Sequence, residues 1–168
     1  MGSGLPCAEQ QPAVTTHEDH DQRIARISRH LSATGALDKT KEFVQHGHTS
    51  VYDHVHNVSR IALRLNEKLR LKADPDRLAR AALLHDYFLY DWHDKSHEHL
   101  RPHGFHHPKV AAGNAHRDYG LDEREMDAIH GHMFPLTLHW PKHREGWILT
   151  MADKISTYQE LKDYWRRK

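Results

Sequence analysis

Four histidine and aspartate side chains fall at positions that face the interior of predicted helices: His54, His85, Asp86 and Asp153. His54 continues an apolar series at helical spacing, the His85-Asp86 pair directly follows an apolar run, and Asp153 borders the apolar stripe of the last helix. A buried charge is costly unless it is paired or binds metal. Imidazole and carboxylate ligands together suit Fe, Mn, Co, Ni or Zn better than Ca. The four residues therefore predict a site for a divalent transition metal ion.

The order of these residues resembles the H…HD…D pattern of the HD-domain superfamily of metal-dependent phosphohydrolases. His54, the pair His85-Asp86 and Asp153 carry the pattern, and the likeness extends over roughly residues 43–161, including Gln45-His46-Gly47 ahead of the first histidine. This resemblance implies an all-α fold, a compact single-domain helical bundle of the HD-domain type. It also implies hydrolysis of a phosphate ester by water that the metal activates.

Many members of this superfamily add two histidines that complete a second metal site. His107 matches the first of them, because Pro108 and a short apolar run follow it as in the family. The second is either His132, which the family spacing favours, or His130. In this arrangement Asp86 would bridge the two metals, so the resemblance implies one or two divalent ions. Lys154 beside the last ligand and His46 near the first are the candidates for contacting phosphate, with Asp86 as the central catalytic group.

The substrate that the resemblance implies is a small phosphate ester, a nucleotide or related metabolite, cleaved by a phosphomonoesterase or phosphodiesterase activity. One alternative belongs to another reaction class, because the same six ligands in some HD proteins resemble a mixed-valent di-iron oxygenase that breaks a C–C or C–P bond. The other alternative is a non-catalytic metal- or ligand-binding module. In that case the histidine-rich stretch at residues 91–106, predicted to form a lid, would be its working part.

Helices of the predicted bundle must position these residues. A long helix over residues 51–71 carries His54, and Asp74-Pro75 starts the helix that leads to His85. Pro108 is predicted to open a helix that stops at Gly120, which places His107 near its N-cap. Asp122 with Glu125 predicts a capping box for the helix that carries His130 and His132.

Two further elements complete the expected fold. A short helix is predicted to include Phe43 and Val44, ahead of a break at Gly47. A final helix over residues 144–164 is predicted to bury an apolar face, which consists of Ile148, Met151, Ala152 and Ile155. No alternation typical of β-strands is evident, which supports the all-α class.

Length and charge limit the remaining possibilities. The 168 residues fit one domain, predicted over residues 21–168 after a disordered leader at residues 1–20. Lys plus Arg (24) nearly balance Asp plus Glu (23), so no nucleic acid polymer is expected as a partner. No apolar run is long enough to span a bilayer, and no secretion signal precedes the domain, which predicts a cytoplasmic protein without a membrane partner. A small-molecule phosphate is the expected partner.

Overall fold

The protein folds as a bundle of α-helices with one short β-hairpin, in a computed structural model that describes residues 18–91 and 103–168 except for the side chain of His46. The all-α class is therefore confirmed. The helices are α1 (His20–Thr34), α2 (Val51–Lys68), α3 (Pro75–Leu84), α4 (His103–Tyr119), α5 (Glu123–Gly131) and α6 (Arg144–Arg166). A 3₁₀ helix (Leu37–Glu42) and the strands β1 (Val44–His46) and β2 (Thr49–Ser50) connect α1 to α2.

Helix α2 lies at the centre of the bundle, where it packs extensively against both α3 and α6. Helix α5 packs against α6 on one side and against α4 and α3 on others. The apolar faces of these helices form one continuous core, which includes Val55, Val58, Leu78, Leu83 and Leu149. Because α2, α3 and α6 meet along this core, the polar side chains on their inner faces are brought together inside the protein.

Local sequence signals determine where two of the positioning helices begin. The carboxylate of Asp74 accepts a hydrogen bond from the backbone N–H of Arg77, and Pro75 occupies the first turn of α3. At the start of α5, Asp122 and Glu125 each accept a hydrogen bond from the other's backbone N–H, at 2.9 and 2.8 Å. Both predicted helix starts are thus present in the structure.

The segment ahead of α2 is a hairpin, and the prediction of a helix through Phe43 and Val44 was wrong. Phe43 has an extended backbone and Val44 begins β1, which pairs antiparallel with β2 around Gly47. Gly47 adopts a φ of 59°, a left-handed conformation that glycine takes without steric cost. The hairpin is too short to show an alternating pattern, so periodicity could not reveal it.

Helix α4 begins at His103 within the described residues, so the predicted start at Pro108 was wrong. His107 lies inside the helix rather than at its N-cap. Proline removes one intrahelical donor but does not force a helix to begin at its own position. The carbonyl of His103 here accepts a hydrogen bond of 3.1 Å from Nδ1 of His107, which links the residues ahead of the proline to the helix. The end of α4 at Gly120, with φ 61°, agrees with the prediction.

The buried face of α6 also differs from the predicted one. Ile148 and Ala152 are buried as expected, but Met151 and Ile155 are 41% and 37% exposed. Apolar residues occur on both sides of this helix, with Trp147, Tyr158 and Trp165 also exposed, so periodicity alone does not select the inner face. The face that packs on α2 and α5 instead includes the polar residues Asp153 and Ser156.

Two predictions lie wholly or partly outside the described residues. Of the proposed leader, residues 1–17 are not described, and α1 begins at His20 with Asp19 as its N-cap. Of the predicted histidine-rich lid, residues 92–102 are not described, whereas His103 and the residues after it belong to α4. None of the helices in residues 18–91 and 103–168 combines the length and apolar character required to cross a membrane.

Candidate metal centre

Six buried side chains converge at the centre of the bundle, and five segments of the chain supply them. His54 lies on α2, His107 on α4 and Asp153 on α6. His85 and Asp86 directly follow the end of α3, and His132 directly follows the end of α5. Each of the six residues is 8% exposed or less, so bulk water does little to compensate their charges.

One group of these side chains surrounds Asp153. Its Oδ1 lies 3.2 Å from Nε2 of His54 and 3.7 Å from Nε2 of His85. Oδ2 of Asp86 completes the group, at 3.8 Å from Nε2 of His54 and 3.5 Å from Nε2 of His85. The ligand atoms of His54, His85 and Asp153 all lie within 4.8 Å of one another, a spacing that one metal ion can satisfy.

A second group lies on the opposite side of Asp86. Its Oδ1 is 3.2 Å from Nε2 of His107 and 3.7 Å from Nε2 of His132. The two Nε2 atoms of these histidines are 2.9 Å apart. The two oxygens of Asp86 therefore face different pairs of histidines, the geometry expected of a carboxylate that bridges two cations.

The other ring nitrogen of each histidine fixes its tautomer. Nδ1 contacts a backbone carbonyl in three cases: Ala82 for His85 at 2.7 Å, Ile129 for His132 at 2.7 Å and His103 for His107 at 3.1 Å. A carbonyl only accepts hydrogen bonds, so Nδ1 must carry the proton. In the neutral imidazole, Nε2 then presents its lone pair to the centre of the cluster. This is the tautomer that metal ligation through Nε2 requires.

These lone pairs need a positive charge between them. With both Nδ1 atoms protonated, the facing Nε2 atoms of neutral His107 and His132 would repel at 2.9 Å. Nε2 of His85 and Oδ1 of Asp86 are buried and make no hydrogen bond within the described part of the chain. Such orphaned buried acceptors are uncommon and call for an explanation. A divalent cation in each group would remove the repulsion and would supply both missing partners, so the residues present fit a dinuclear metal centre.

The electrostatics of the cluster support the same interpretation. Burial raises the pKa of Asp86, but the surrounding histidines, first of all His85, outweigh it and hold this pKa well below its usual range. Burial lowers the pKa of His132 to about 3, and nearby histidines add to the effect. Burial also opposes charge on His54, but hydrogen bonds to Asp153 and Glu160 raise its pKa to about 10. The carboxylates thus attract a cation, and a metal ion would compete with a proton for Nε2 of His54.

A family model for the HD domain matches residues 51–158, from the first residue of α2 to the middle of α6, and this stretch contains all six clustered side chains. The chain belongs to the HD-domain family. The sequence resemblance is thereby confirmed, and with it the superfamily of metal-dependent phosphohydrolases. Comparison with curated proteins gives no match, and comparison with solved structures gives none either.

We call the six clustered side chains the HD centre. Two residues just outside the matched stretch hold side chains of this centre in place. Nε2 of Gln45 donates a hydrogen bond of 2.7 Å to Oδ2 of Asp86. Nδ1 of His54 donates to the Glu160 carboxylate at 3.0 Å, and Ser156 donates to the same carboxylate at 2.8 Å. Sequence reasoning did not assign either residue a role. Glu160 lies seven positions beyond Asp153, on the same inner face of α6, and this helical spacing was the signal that could have identified it.

Of the remaining candidate residues, His130 and Lys154 are described in full, and neither is part of the cluster. The structure does not bring His130, the predicted alternative ligand, to the cluster, because His130 stacks on His139 with ring centroids 4.2 Å apart. Residues two positions apart on a helix point in directions that differ by about 200°, so His130 and His132 cannot both face Asp86. Lys154 lies beside the HD centre, where its Nζ contacts the carbonyl of His132 at 3.3 Å. His46 ends β1, and its side chain lies outside the described structure.

A cavity of about 920 Å³ opens onto the HD centre. Asp86, His107, His132 and Asp153 line its floor, and Lys154 contributes an ammonium group at the side. Burial lowers the pKa of Lys154, although neighbouring Asp153 counteracts this shift. The cavity is large enough for a small organic substrate beside the metal ligands.

Glu160→Ala is expected to weaken metal binding to the HD centre about 10- to 100-fold, because outer hydrogen bonds to ligating histidines typically contribute this much. The loss of the carboxylate would free His54 to rotate and to change tautomer. The metal dissociation constant, measured by competition with a fluorescent chelator, checks the prediction. Glu160→Gln should restore part of the affinity, because its amide oxygen still accepts the Nδ1 proton.

Asp163→Ala is the matched control, since Asp163 is an exposed carboxylate on the same helix. If Asp163→Ala and Glu160→Ala lower the affinity equally, the effect is one of general charge rather than of His54 orientation.

Proposed function

We propose that the protein hydrolyses a phosphate ester of a small molecule with the aid of two divalent transition metal ions. The observation that carries the proposal is the position of Asp86, whose oxygens face His54 and His85 on one side and His107 and His132 on the other. The first ion would be held by His54, His85, Asp153 and one oxygen of Asp86. The second would be held by His107, His132 and the other oxygen of Asp86.

The donor set favours Fe, Mn, Co, Ni or Zn over Ca or Mg, because four imidazoles accompany only two carboxylates. When bound, such ions would supply Lewis acidity to the phosphoryl oxygens and would lower the pKa of water from about 15.7 toward about 7.

The other tasks of the reaction would fall to residues of the chain itself, which would position the ligands, bind the phosphoryl group and exclude water. The backbone carbonyls and Glu160 accept hydrogen bonds from Nδ1 of the four histidines, which leaves Nε2 as the ring nitrogen that faces the metal site. Lys154 at the side of the cavity would bind a phosphoryl oxygen and offset its negative charge. Apolar cavity walls would exclude bulk water, which strengthens these electrostatic contacts. His46 remains a candidate for the same task.

The family suggests a nucleotide or related metabolite as the substrate class, with either monoester or diester cleavage. Direct attack by water agrees with the residues at hand. The described hydroxyls that line the cavity belong to Thr157 and Tyr158, and within the described part of the chain neither makes a hydrogen bond to a group that could act as a general base. Ser156 is instead occupied as a donor to Glu160. A covalent phospho-enzyme is therefore not expected.

Hydrolysis in ¹⁸O-labelled water tests this proposal. With protein loaded with Mn, Co, Ni or Fe, a phosphate ester substrate should release phosphate that carries one labelled oxygen in a single turnover, without phosphorylated protein in rapid-quench samples. Loading with Ca should give little activity.

Two outcomes would overturn the proposal. Oxygen derived from O₂ in an organic product, seen with iron-loaded protein, would establish the oxygenase alternative. Full metal loading without turnover of any ester and without consumption of O₂ would establish a binding module instead.

A further inference from the structure

The cavity above the metal centre has an apolar wall that the hydrolysis step itself does not need. Five side chains form it: Met133, Pro135, Leu136, Tyr158 and Leu161. The first three belong to the loop between α5 and α6, and the other two lie on the outer side of α6. Leu136 and Leu161 are 47% and 39% exposed, so a bound molecule would remove much apolar surface from water.

Most polar groups of the described lining are already engaged, and the hydroxyls of Thr157 and Tyr158 are the exceptions. Gln45 donates to Asp86, Lys154 contacts the carbonyl of His132, and His103 accepts from or donates to Tyr90 at 3.0 Å. The carboxylates in the described lining are those of Asp86 and Asp153, which belong to the metal centre. Ribose hydroxyls and the edge of a nucleobase would lose water here and, within the described lining, would find only those two hydroxyls as new partners.

The charge of the described lining matches a single phosphate group. Lys154 is the one lysine or arginine among these lining residues, and it lies next to Asp153. Nucleoside di- and triphosphates carry further anionic groups, which are usually bound by several cationic side chains or by additional metal ions. One ammonium group together with the metal centre suffices for one phosphoryl group.

We propose that the substrate is a monophosphate ester of an apolar alcohol or phenol, whose alkyl or aryl group lies against the wall formed by Leu136, Tyr158 and Leu161. This inference rests on the proposed phosphohydrolase function and narrows its substrate class away from nucleotides. In the reaction, the oxygen of water bonds to phosphorus and the bond from phosphorus to the ester oxygen breaks. The departing oxygen takes up a proton, so water and ester give the free alcohol and inorganic phosphate.

Binding of non-hydrolysable phosphonates tests the wall without requiring turnover. Each methylene that is fully buried improves binding about fourfold, so hexylphosphonate, with four more methylenes than ethylphosphonate, should bind about 250-fold more tightly to the metal-loaded protein. Isothermal titration calorimetry should also show a more negative heat capacity change for the longer ligand. In a separate turnover assay, the kcat/KM for adenosine monophosphate should show no such advantage over the kcat/KM for ethyl phosphate.

Substitutions in the apolar wall test whether the preference for the longer phosphonate arises there. Leu136→Ser and Leu161→Ser should each reduce the preference for hexylphosphonate over ethylphosphonate about 15-fold, on the order of two lost methylene contacts. Both positions are partly exposed, so these changes should not unfold the protein. Leu138→Ser is the matched control, because Leu138 is 95% exposed and does not line the cavity; its preference should be unchanged.

The outcomes separate this inference from the proposed function. Equal affinities for the two phosphonates, or an equal effect of Leu138→Ser and Leu136→Ser, would overturn the apolar substrate class even if some phosphate ester is hydrolysed. A strong preference for hexylphosphonate without hydrolysis of hexyl phosphate or any other ester would support the apolar site and overturn the hydrolase proposal.

Discussion

Asp86→Ala should remove both metal ions from the protein and abolish hydrolysis, whereas His132→Ala should retain about half of the metal. The reason is geometric, because each oxygen of Asp86 faces a different pair of histidines, while the contact of His132 with Asp86 is to Oδ1, at 3.7 Å. The unsubstituted protein, produced without an affinity tag, should contain one to two equivalents of a transition metal. Elemental analysis, after a weak chelator has removed loosely bound ions, measures the metal content of the unsubstituted protein and of the two variants.

His130→Ala provides the matched control for this experiment. His130 is only two positions from His132 but stacks on His139, away from Asp86, so its removal should leave the metal content unchanged. Equal retention of metal by Asp86→Ala and His132→Ala would contradict the bridging arrangement. A metal content near zero in the unsubstituted protein, which added metal cannot restore, would contradict the metal centre as a whole.

Arg80→Ala should destabilise the fold by about 3–5 kcal/mol, the typical cost of leaving one partner of a buried ion pair without the other. Arg80, on α3, donates two hydrogen bonds of 2.8 Å to Glu125 at the start of α5 and another to the carbonyl of Tyr119. The side chain of Glu125 is only 4% exposed. The change in free energy of unfolding can be measured by urea titration at a fixed metal concentration.

Arg77→Ala is the control, because Arg77 joins the same two segments through an ion pair of 2.7 Å with Asp122. The carboxylate of that pair is far more exposed, with Asp122 at 45% against 4% for Glu125, whereas the two arginines are similarly exposed at 32% and 27%. Loss of the pair should therefore cost about 1 kcal/mol or less. Similar losses in the two variants would show that burial of Glu125 does not determine the contribution of its partner.

The parts of the fold that sequence predicted well are those with a local physical cause. Asp74-Pro75 and the Asp122–Glu125 capping box each satisfy free backbone donors within one turn, so neighbouring residues suffice to identify a helix start. His54 lies on the predicted inner face of α2 because helical spacing with apolar neighbours is a property of that helix alone. The convergence of His54 with His85 and Asp153 followed from the family resemblance rather than from any single helix.

The features that the sequence did not predict depend on contacts between distant segments, or on more than one apolar pattern within the same helix. Gln45 reaches Asp86 from the hairpin, across 41 positions, and nothing near Gln45 indicates this partner. Met151 and Ile155 are apolar yet exposed, because α6 has apolar residues on two sides and only its packing against α2 and α5 determines which side is buried. His107 was expected at a helix start because proline is common there, but the helix continues one turn ahead of it.

The placement of His85 and His132 immediately after a helix has a consequence for protein design. Both residues have nearly the same backbone angles, φ −63° and ψ −29° for His85 and φ −62° and ψ −25° for His132. In each, Nδ1 bonds to the carbonyl three residues earlier, one of the terminal carbonyls that a helix leaves without a partner. Ring orientation and tautomer at these corners are therefore set by one helical turn. A designed bundle that ends a helix in this way can present an imidazole to a metal with no further residue engineered to hold the ring.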